Sequence, residues 1–353
     1  MTDKNIVHVV GTGTVGEPLI GLLADLKKDL CIDEVTFSKR TPLLIDRSKV
    51  KSLMKRGAKL SVEKDKFDEF RKLDLDPDYE YQEAISRASI VIDCTPAGLE
   101  NKDLYYRKFE DRVRRFVAQG SEFGFGKMYA LGINDQAINP NDKYVQVVSC
   151  NTHNIAVLIK ALAINGNTSS LVEGRFLCLR RASDISQNGG FIPSVDVDKH
   201  KDSSFGTHHA HDVYWLYKTI GLDLNIFSSA IKINTQYMHS IWFDLHLKNK
   251  IDIDEVKRRF KRNKRVSVTF KTLSSLVFSF GRDQGYYGRI LNQTVIVLPT
   301  VTVRNGDEVL GFCFTPQDGN SLLSSTAIIE HTLCPYLWEE NMKKLDRYLF
   351  NEV

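Results

Sequence analysis

The 353-residue chain is predicted to be an α/β protein: a doubly wound parallel sheet near the N-terminus, then an α+β domain of mostly antiparallel strands. Three observations predict this. Short apolar runs alternate with amphipathic helical patterns over residues 1–150. A glycine-spaced loop, Gly11-Thr12-Gly13-Thr14-Val15-Gly16, joins the first run to the first helical pattern. From residue 175 on the pattern turns strand-rich, with an Asn305-Gly306 pair between the last two runs.

Ile6–Val10 reads as a buried parallel strand, and Leu19, Ile20, Leu22, Leu23 and Leu26 mark the helix after it. Glu34–Ser38 is a second strand. The charged stretch 43–88 alternates helices with short strands. Ser89–Asp93 is a further parallel strand, halted at Cys94-Thr95-Pro96, and Phe116–Ala118 and Tyr144–Val148 complete the series. In the second half, Arg175–Arg181, Tyr237–Leu247, Arg265–Lys271, Thr294–Val303 and Val309–Phe314 read as strands. Asn305-Gly306 joins the last two as a type I′ hairpin. A helix is expected at about Asp254–Lys264, with Asp252 as N-cap and Glu255 three residues on. The stretch Leu322–Leu349 returns to helical spacing, broken by Pro335. The expected divisions are 1–150, 151–316 and 317–353.

Apolar content of 42% and charged content of 26% are those of an ordinary soluble domain. The net charge of +4 is compatible with anionic ligands but gives no reason to expect nucleic acid. The basic run Lys257-Arg258-Arg259, Lys261-Arg262, Lys264-Arg265 spreads around a helix with only Phe260 interleaved, as a solvated face does. No apolar run is long enough for a membrane span. The N-terminus carries no signal-peptide pattern, so a cytoplasmic protein is expected. Six cysteines, at 31, 94, 150, 178, 313 and 334, form no CxxC pair and read as the scattered thiols of a reduced enzyme.

A GxGxxG loop after a strand and before an amphipathic helix is the context of a Rossmann dinucleotide site. Gly11 permits the tight turn, Gly13 lets backbone approach a pyrophosphate, and the helix start beyond Thr14, Val15 and Gly16 offers amides and partial positive charge. NAD sites usually carry an acidic residue at the end of the second strand. Here Ser38-Lys39-Arg40-Thr41 stands there. Lys39 and Arg40 either pair with a 2′-phosphate or are solvated loop charges, so the expected cofactor is NADP or NAD.

The strand ending at Val148 runs into Ser149-Cys150-Asn151-Thr152, then a helical face of Ile155, Leu158, Ile159 and Leu162. With Asn151 or Thr152 as N-cap, Cys150 lies at a helix start, where amides lower a thiol pKa from about 8.5. A thiolate suits attack on an aldehyde carbon. The other five cysteines read as structural. Candidate proton acceptors are His153, His208, His209, His211 and His239. The run His208-His209-Ala210-His211 reads as a loop that binds anions; it lacks partners for zinc, and no metal site is expected.

Together these segments resemble the archaeal-type (type II) glyceraldehyde-3-phosphate dehydrogenases. The resemblance rests on Gly11–Gly16, Asp93–Pro96, Gln119-Gly120, Val147–Thr152, Arg180–Ala182, Thr207–Val213, Met238–Ser240, Gly281–Asp283 and Gln317, in the family's order from about residue 6 to about 330. Ser-Cys-Asn-Thr and Met-His-Ser are its most specific segments. It implies Cys150 as catalytic cysteine and His239 as catalytic histidine. It implies substrate contacts at Ser149, Asn151, Thr152, His209 and Ala210, and cofactor contacts at Thr14, Val15, Gly120, Arg181 and Gln317. Arg180 and His208 suit phosphate by charge. A phosphorylated aldehyde and inorganic phosphate are the implied partners, in a homotetramer serving glycolysis or gluconeogenesis, with the tail packed back on the nucleotide domain.

The implied mechanism has His239 take the Cys150 proton and then steady an oxyanion, before phosphate releases a thioester. Rival readings are an aspartate-semialdehyde or N-acetylglutamyl-phosphate type of reductase, or a non-catalytic nucleotide sensor. The chain also departs from the family. His153-Asn154 stands where Thr-Gly is usual, Ala210-His211 where Gly-Pro is usual, Val10 for Asn, and Tyr237 for His. A His three residues past the thiol is expected to alter its pKa or narrow its pocket.

Overall fold

The computed structural model describes residues 4–184 and 192–353. The chain divides into two compact units. The first comprises Met1–Lys127, Ile138–Val147 and Leu322–Lys344; the second comprises Met128–Ala137, Val148–Ser321 and Leu345–Val353.

The first unit is built on strands β1 (Ile6–Val10), β2 (Glu34–Ser38), β3 (Lys59–Val62), β4 (Tyr79–Glu80), β5 (Ile90–Asp93), β6 (Arg115–Gln119) and β8 (Tyr144–Val147). They run in the order β4-β3-β2-β1-β5-β6-β8, every neighbour parallel. The short edge strand β7 (Lys127–Tyr129) lies where the chain passes from one unit to the other. Every residue of β1, β2, β5 and β6 is buried, because helices cover both faces of a parallel sheet. That double burial produces the largely apolar runs of β1 and β5, interrupted only by His8 and by Asp93 at the strand end. The covering helices include α1 (Gly16–Leu26), with α2 (Arg47–Lys55), α3 (Phe67–Lys72), α4 (Tyr81–Arg87) and α5 (Gly98–Leu104) between strands. This is the doubly wound α/β sheet that the sequence predicts.

A disulfide joins Cys31 to Cys334 within this unit, which corrects the expectation of six free thiols. Near it, Glu330 accepts from the Cys31 amide (3.1 Å) and from Asn341 Nδ2 (2.6 Å).

In the second unit, helix α6 (Cys150–Ala163) is followed by a small hairpin, β9 (Ile164–Asn165) with β10 (Thr168–Ser169). The main sheet takes β11 (Leu171–Arg180), β12 (Asp196–Val197), β13 (Ile226–Lys232), β14 (His239–Leu247), β15 (Val266–Thr269), β16 (Thr294–Val297) and β18 (Glu308–Thr315), in the order β12-β13-β11-β14-β18-β16-β15. Strand β17 (Thr302–Arg304) pairs with β18. The sheet is mixed. Two of its pairs, β11–β13 and β15–β16, are parallel, and the rest are antiparallel. A parallel pair needs a crossover connection. Helices α7 (His208–Lys218) and α9 (Ser274–Gln284) lie in these two connections.

The expected strand Thr294–Val303 is broken at Pro299, which starts a tight turn over Leu298–Thr300. The hairpin at Asn305-Gly306 is present, with φ of +51° and +77° at the two residues. Helix α8 (Ile253–Arg262) starts as expected: the Asp252 carboxylate accepts from the Glu255 amide at 2.7 Å. It buries Val256 and Phe260 and leaves Arg258, Lys261 and Arg262 in water. The unit's core joins α6, α7 and the inner face of the sheet. The remaining helices, α10 (Leu322–Leu333) and α11 (Trp338–Lys343), belong to the first unit.

Candidate active site

In the first unit the loop 11–16 is a glycine cradle. Gly11 has φ of +91°, and its amide donates to the Ser38 carbonyl at 3.2 Å. A Cβ on Gly16 would fall 2.1 Å from the Gly11 carbonyl oxygen, so only glycine lets the helix start that close to the strand end. A Cβ on Gly13 would meet nothing within 4 Å, which leaves its backbone open to a ligand. Thr14 and Val15 lead into α1, and Gly120 (φ +89°) follows β6 with similar open space. Beside the cradle is a cavity of about 300 Å³, lined by Gly11, Ser38, Lys39, Arg40, Thr95 and Asn101 among others. Its floor is fixed by Asp93, whose carboxylate accepts from Thr95, Asn101 and Tyr106 at 2.6–2.8 Å. Lys39 is not a free loop charge: its Nζ lies 2.7 Å from Asp46 Oδ2. The cradle, the helix start and the basic cavity wall fit a dinucleotide pyrophosphate and ribose.

The thiol site belongs to the second unit. Cys150 is the first residue of α6 and is half-buried. The cap is Ser149, one position earlier than Cys150, not Asn151 or Thr152: its backbone is extended and its hydroxyl accepts from the Thr152 amide at 3.4 Å. Asn151 and Thr152 are buried. Asn151 Oδ1 accepts from Thr315 Oγ1 (3.1 Å), Thr315 in turn accepts from Asn154 Nδ2 (2.8 Å), and the Cys313 thiol donates to Asn154 Oδ1 (3.2 Å). This chain of bonds holds the first turn of α6 against β18. Asn320 Nδ2 donates to the Cys150 carbonyl at 2.8 Å.

The thiol is not activated in the manner expected. Burial pushes it up, to about 12; Arg181 and the Asn151 amide oppose this, while Asp318 and Asp184 add to it. The favourable helix start does not outweigh desolvation together with two carboxylates. His153 also differs from expectation. Its ring is fully buried, Nδ1 donates to the Ser149 carbonyl at 3.0 Å, and burial lowers its pKa to about 4. It is not among the groups that shift Cys150.

Arg181 is the hub of this site. Its side chain is 2% exposed, and Nη2 lies 2.7 Å from Asp184 Oδ1 and 3.3 Å from Asp318 Oδ1. Gln317 Nε2 donates to the same Asp184 oxygen at 2.9 Å. The Arg181 amide donates to His239 Nδ1 at 2.9 Å, at the first residue of β14. With Nδ1 accepting, the neutral ring carries its proton on Nε2. Burial, then Arg181 and Arg180, lower the His239 pKa to about 3. His239 therefore presents a hydrogen-bond donor. The expected role of thiol base would require breaking its bond to the Arg181 amide.

His208–His211 form the first turn of α7, not a loop. Ser228 Oγ accepts from the Ala210 amide (3.0 Å) and bonds Thr207 Oγ1 (2.7 Å), which pins this helix start to β13. His208 is exposed, with its ring 3.9 Å from that of His209. His209 is buried with neither ring nitrogen hydrogen-bonded among the described residues. Burial, then His208, Arg180 and His239, hold its pKa well below the ordinary value. Arg180 sits at the end of β11 and pairs with Asp198 at 2.7 Å. Sequence reasoning missed Asp184, Asp318, Asn320 and Thr315. The Asp318-Gly319 turn, with φ of +68° at Asp318, is the one available signal.

Fold and site thus define an α/β chain with a Rossmann-like sheet and a separate mixed-sheet unit carrying a helix-capped cysteine. The chain is similar to curated enzymes named glyceraldehyde-3-phosphate dehydrogenase. It is 26% identical over 308 residues to the one from Pyrobaculum islandicum, covering 85% of this chain and 84% of that protein. Identity to the Pyrobaculum calidifontis protein is 27% over 313 residues (86% and 85%), and to the Sulfolobus acidocaldarius protein 26% over 312 residues (86% and 84%). No protein-family model matches the chain. Among the described residues, no helix is long and apolar enough to cross a membrane.

Proposed function

We propose that the chain catalyses the reversible, phosphorylating oxidation of glyceraldehyde 3-phosphate to 1,3-bisphosphoglycerate with NADP or NAD. One observation carries the reading: Cys150 opens α6 under a Ser149 cap, in the same unit as the buried Arg181–His239 pair and the histidine-bearing start of α7. The similarity to enzymes of that name supports it.

Cys150 loses its proton to solvent, and the thiolate adds to the aldehyde carbon to give a hemithioacetal. The Nε2–H of His239 donates to the oxygen on which charge develops. A bound nicotinamide dinucleotide would supply the hydride acceptor, and Cys150 would then carry the acyl group as a thioester. Inorganic phosphate attacks the thioester carbonyl, and Cys150 departs as thiolate. Arg180, His208 and His209 hold the anionic groups at the start of α7, alongside Ala210 and Ser149. Asn151 and Thr152 act by fixing the turn that presents the thiol. Gly11, Gly13, Thr14, Val15, Gly16 and Gly120 hold the dinucleotide, with Lys39 exchanging Asp46 for a 2′-phosphate where NADP binds. Arg181 and Gln317 complete the cofactor contacts. The enzyme is a cytoplasmic homotetramer in glycolysis or gluconeogenesis.

The test is an assay with glyceraldehyde 3-phosphate, NAD or NADP, with and without inorganic phosphate. Phosphate-dependent turnover that climbs as pH rises and vanishes in Cys150→Ser is expected. Near-normal turnover in Cys150→Ser, or preference for an amino-acid semialdehyde, would defeat the reading.

A further inference from the structure

We propose that Asp244, His246 and Glu308 form a binding site for a divalent transition-metal ion, with zinc the best match. The three lie on one face of the strand pair β14–β18. Asp244 and His246 are two apart on β14 and so share a face, and His246 stands directly opposite Glu308 on β18. Each offers a ligand atom, and the three atoms all lie within 4.8 Å of one another. His246 Nε2 is 3.3 Å from Asp244 Oδ1 and 3.8 Å from Glu308 Oε1. A tetrahedral ion with bonds of about 2.0–2.2 Å separates its ligands by about 3.3–3.6 Å. The trio therefore surrounds such an ion with only side-chain adjustment.

A second observation points to a cation. Asp244 is 5% exposed, and its buried Oδ1 makes no well-aligned hydrogen bond, its one near neighbour being His246 Nε2 at 3.3 Å. A desolvated carboxylate oxygen without an aligned donor is costly, and a bound cation removes that cost. Glu308 is also buried. Nearby arginines compete only in part. Arg175 lies across from Asp244, but its guanidinium is 2.7 Å from Glu173. Arg304 Nη1 is 3.5 Å from Glu308 Oε1 and largely in water. One imidazole with two carboxylates suits zinc or cobalt better than calcium or magnesium, which favour all-oxygen shells. His246 is partly exposed, which leaves room for water as a fourth ligand.

None of the three ligands belongs to the thiol site. The same two strands pair His239 with Thr315 at their other end, so an ion here would clamp β14 to β18 away from the chemistry.

The test titrates Co²⁺ into the full chain carrying Cys150→Ser, which removes a competing thiol, and follows the visible absorption of bound cobalt. We expect a saturable band that Zn²⁺ displaces, with affinity at least roughly tenfold weaker in His246→Gln and in Asp244→Asn. Arg304→Gln removes a competing cation and is expected to tighten binding, a gain that misfolding does not produce. Absence of a saturable band, or a band unchanged in His246→Gln, would overturn the proposal.

Discussion

Replacing Asp318 with asparagine isolates the electrostatic cost built into the thiol site. Asp318 has φ of +68°, a conformation that asparagine adopts about as readily as aspartate, so the backbone is undisturbed. Burial raises its carboxyl pKa from 3.8 to about 6, even with Arg181 Nη2 3.3 Å away. The side chain is 18% exposed, so solvent screening is limited. A shift of about two units corresponds to about 3 kcal/mol. The folded state holds this proton more tightly than the unfolded chain does. Its stabilisation is complete below about pH 3.8 and is lost as pH rises through about 6. The amide has no proton to lose. The Asp318→Asn protein should therefore gain on the parent by about 3 kcal/mol between about pH 4 and about pH 8. Urea unfolding of both proteins across that range gives the difference directly, because titrating groups not coupled to Asp318 cancel. The Asp318 charge also pushes the Cys150 thiol up, so Asp318→Asn should speed alkylation by iodoacetamide. A stability difference that stays flat with pH would refute the burial account of Asp318.

The glycine loop offers a paired test. Gly16→Ala should cost about 1–3 kcal/mol or more in thermal unfolding, since its Cβ would sit 2.1 Å from the Gly11 oxygen. Gly13→Ala should leave stability within about 0.5 kcal/mol while weakening dinucleotide binding in a calorimetric titration; equal effects of the two on stability would contradict the cradle geometry. The Cys31–Cys334 bond spans 303 residues, for which loop-closure entropy predicts at most about 5–6 kcal/mol. Reductant, Cys31→Ser and Cys334→Ser should each lower the melting temperature by the same amount, and a melting temperature insensitive to reductant would count against the bond.

Legibility follows burial. Strands β1 and β5 are buried on both faces and are apolar except for His8 and the terminal Asp93, so they stand out at once. Helix α9 buries only Val277 and Gly281, and α7 mixes histidines and tyrosines into its inner face. Neither shows a clean helical stripe. With those two crossovers hidden, the parallel pairs β11–β13 and β15–β16 cannot be read either. The same limit applies at the site. Cys150 and His239 sit in local segments with recognisable flanks, whereas Asp184, Thr315, Asp318 and Asn320 reach the thiol only through folding of distant segments. The Cys31–Cys334 bond is hidden for the same reason.

His153 shows where sequence spacing misleads. Residues three apart on a helix are neighbours, so a histidine at 153 is expected to act on the thiol at 150. Its ring instead turns back one helical turn to the Ser149 carbonyl and stays buried and neutral, with no part in the balance of charge at Cys150. The adjacent Asn154 goes into the bonded chain to Thr315 and Cys313. His211, at another departure, pairs with Asp212 and rests against Phe205 and Trp215. These substitutions are absorbed by packing and by hydrogen bonds behind the reacting groups. What tunes Cys150 is burial first, then the buried Arg181 that opposes it and the carboxylates Asp318 and Asp184 that add to it. A change in thiol reactivity is therefore to be sought at Arg181 and its two partners before it is sought at His153.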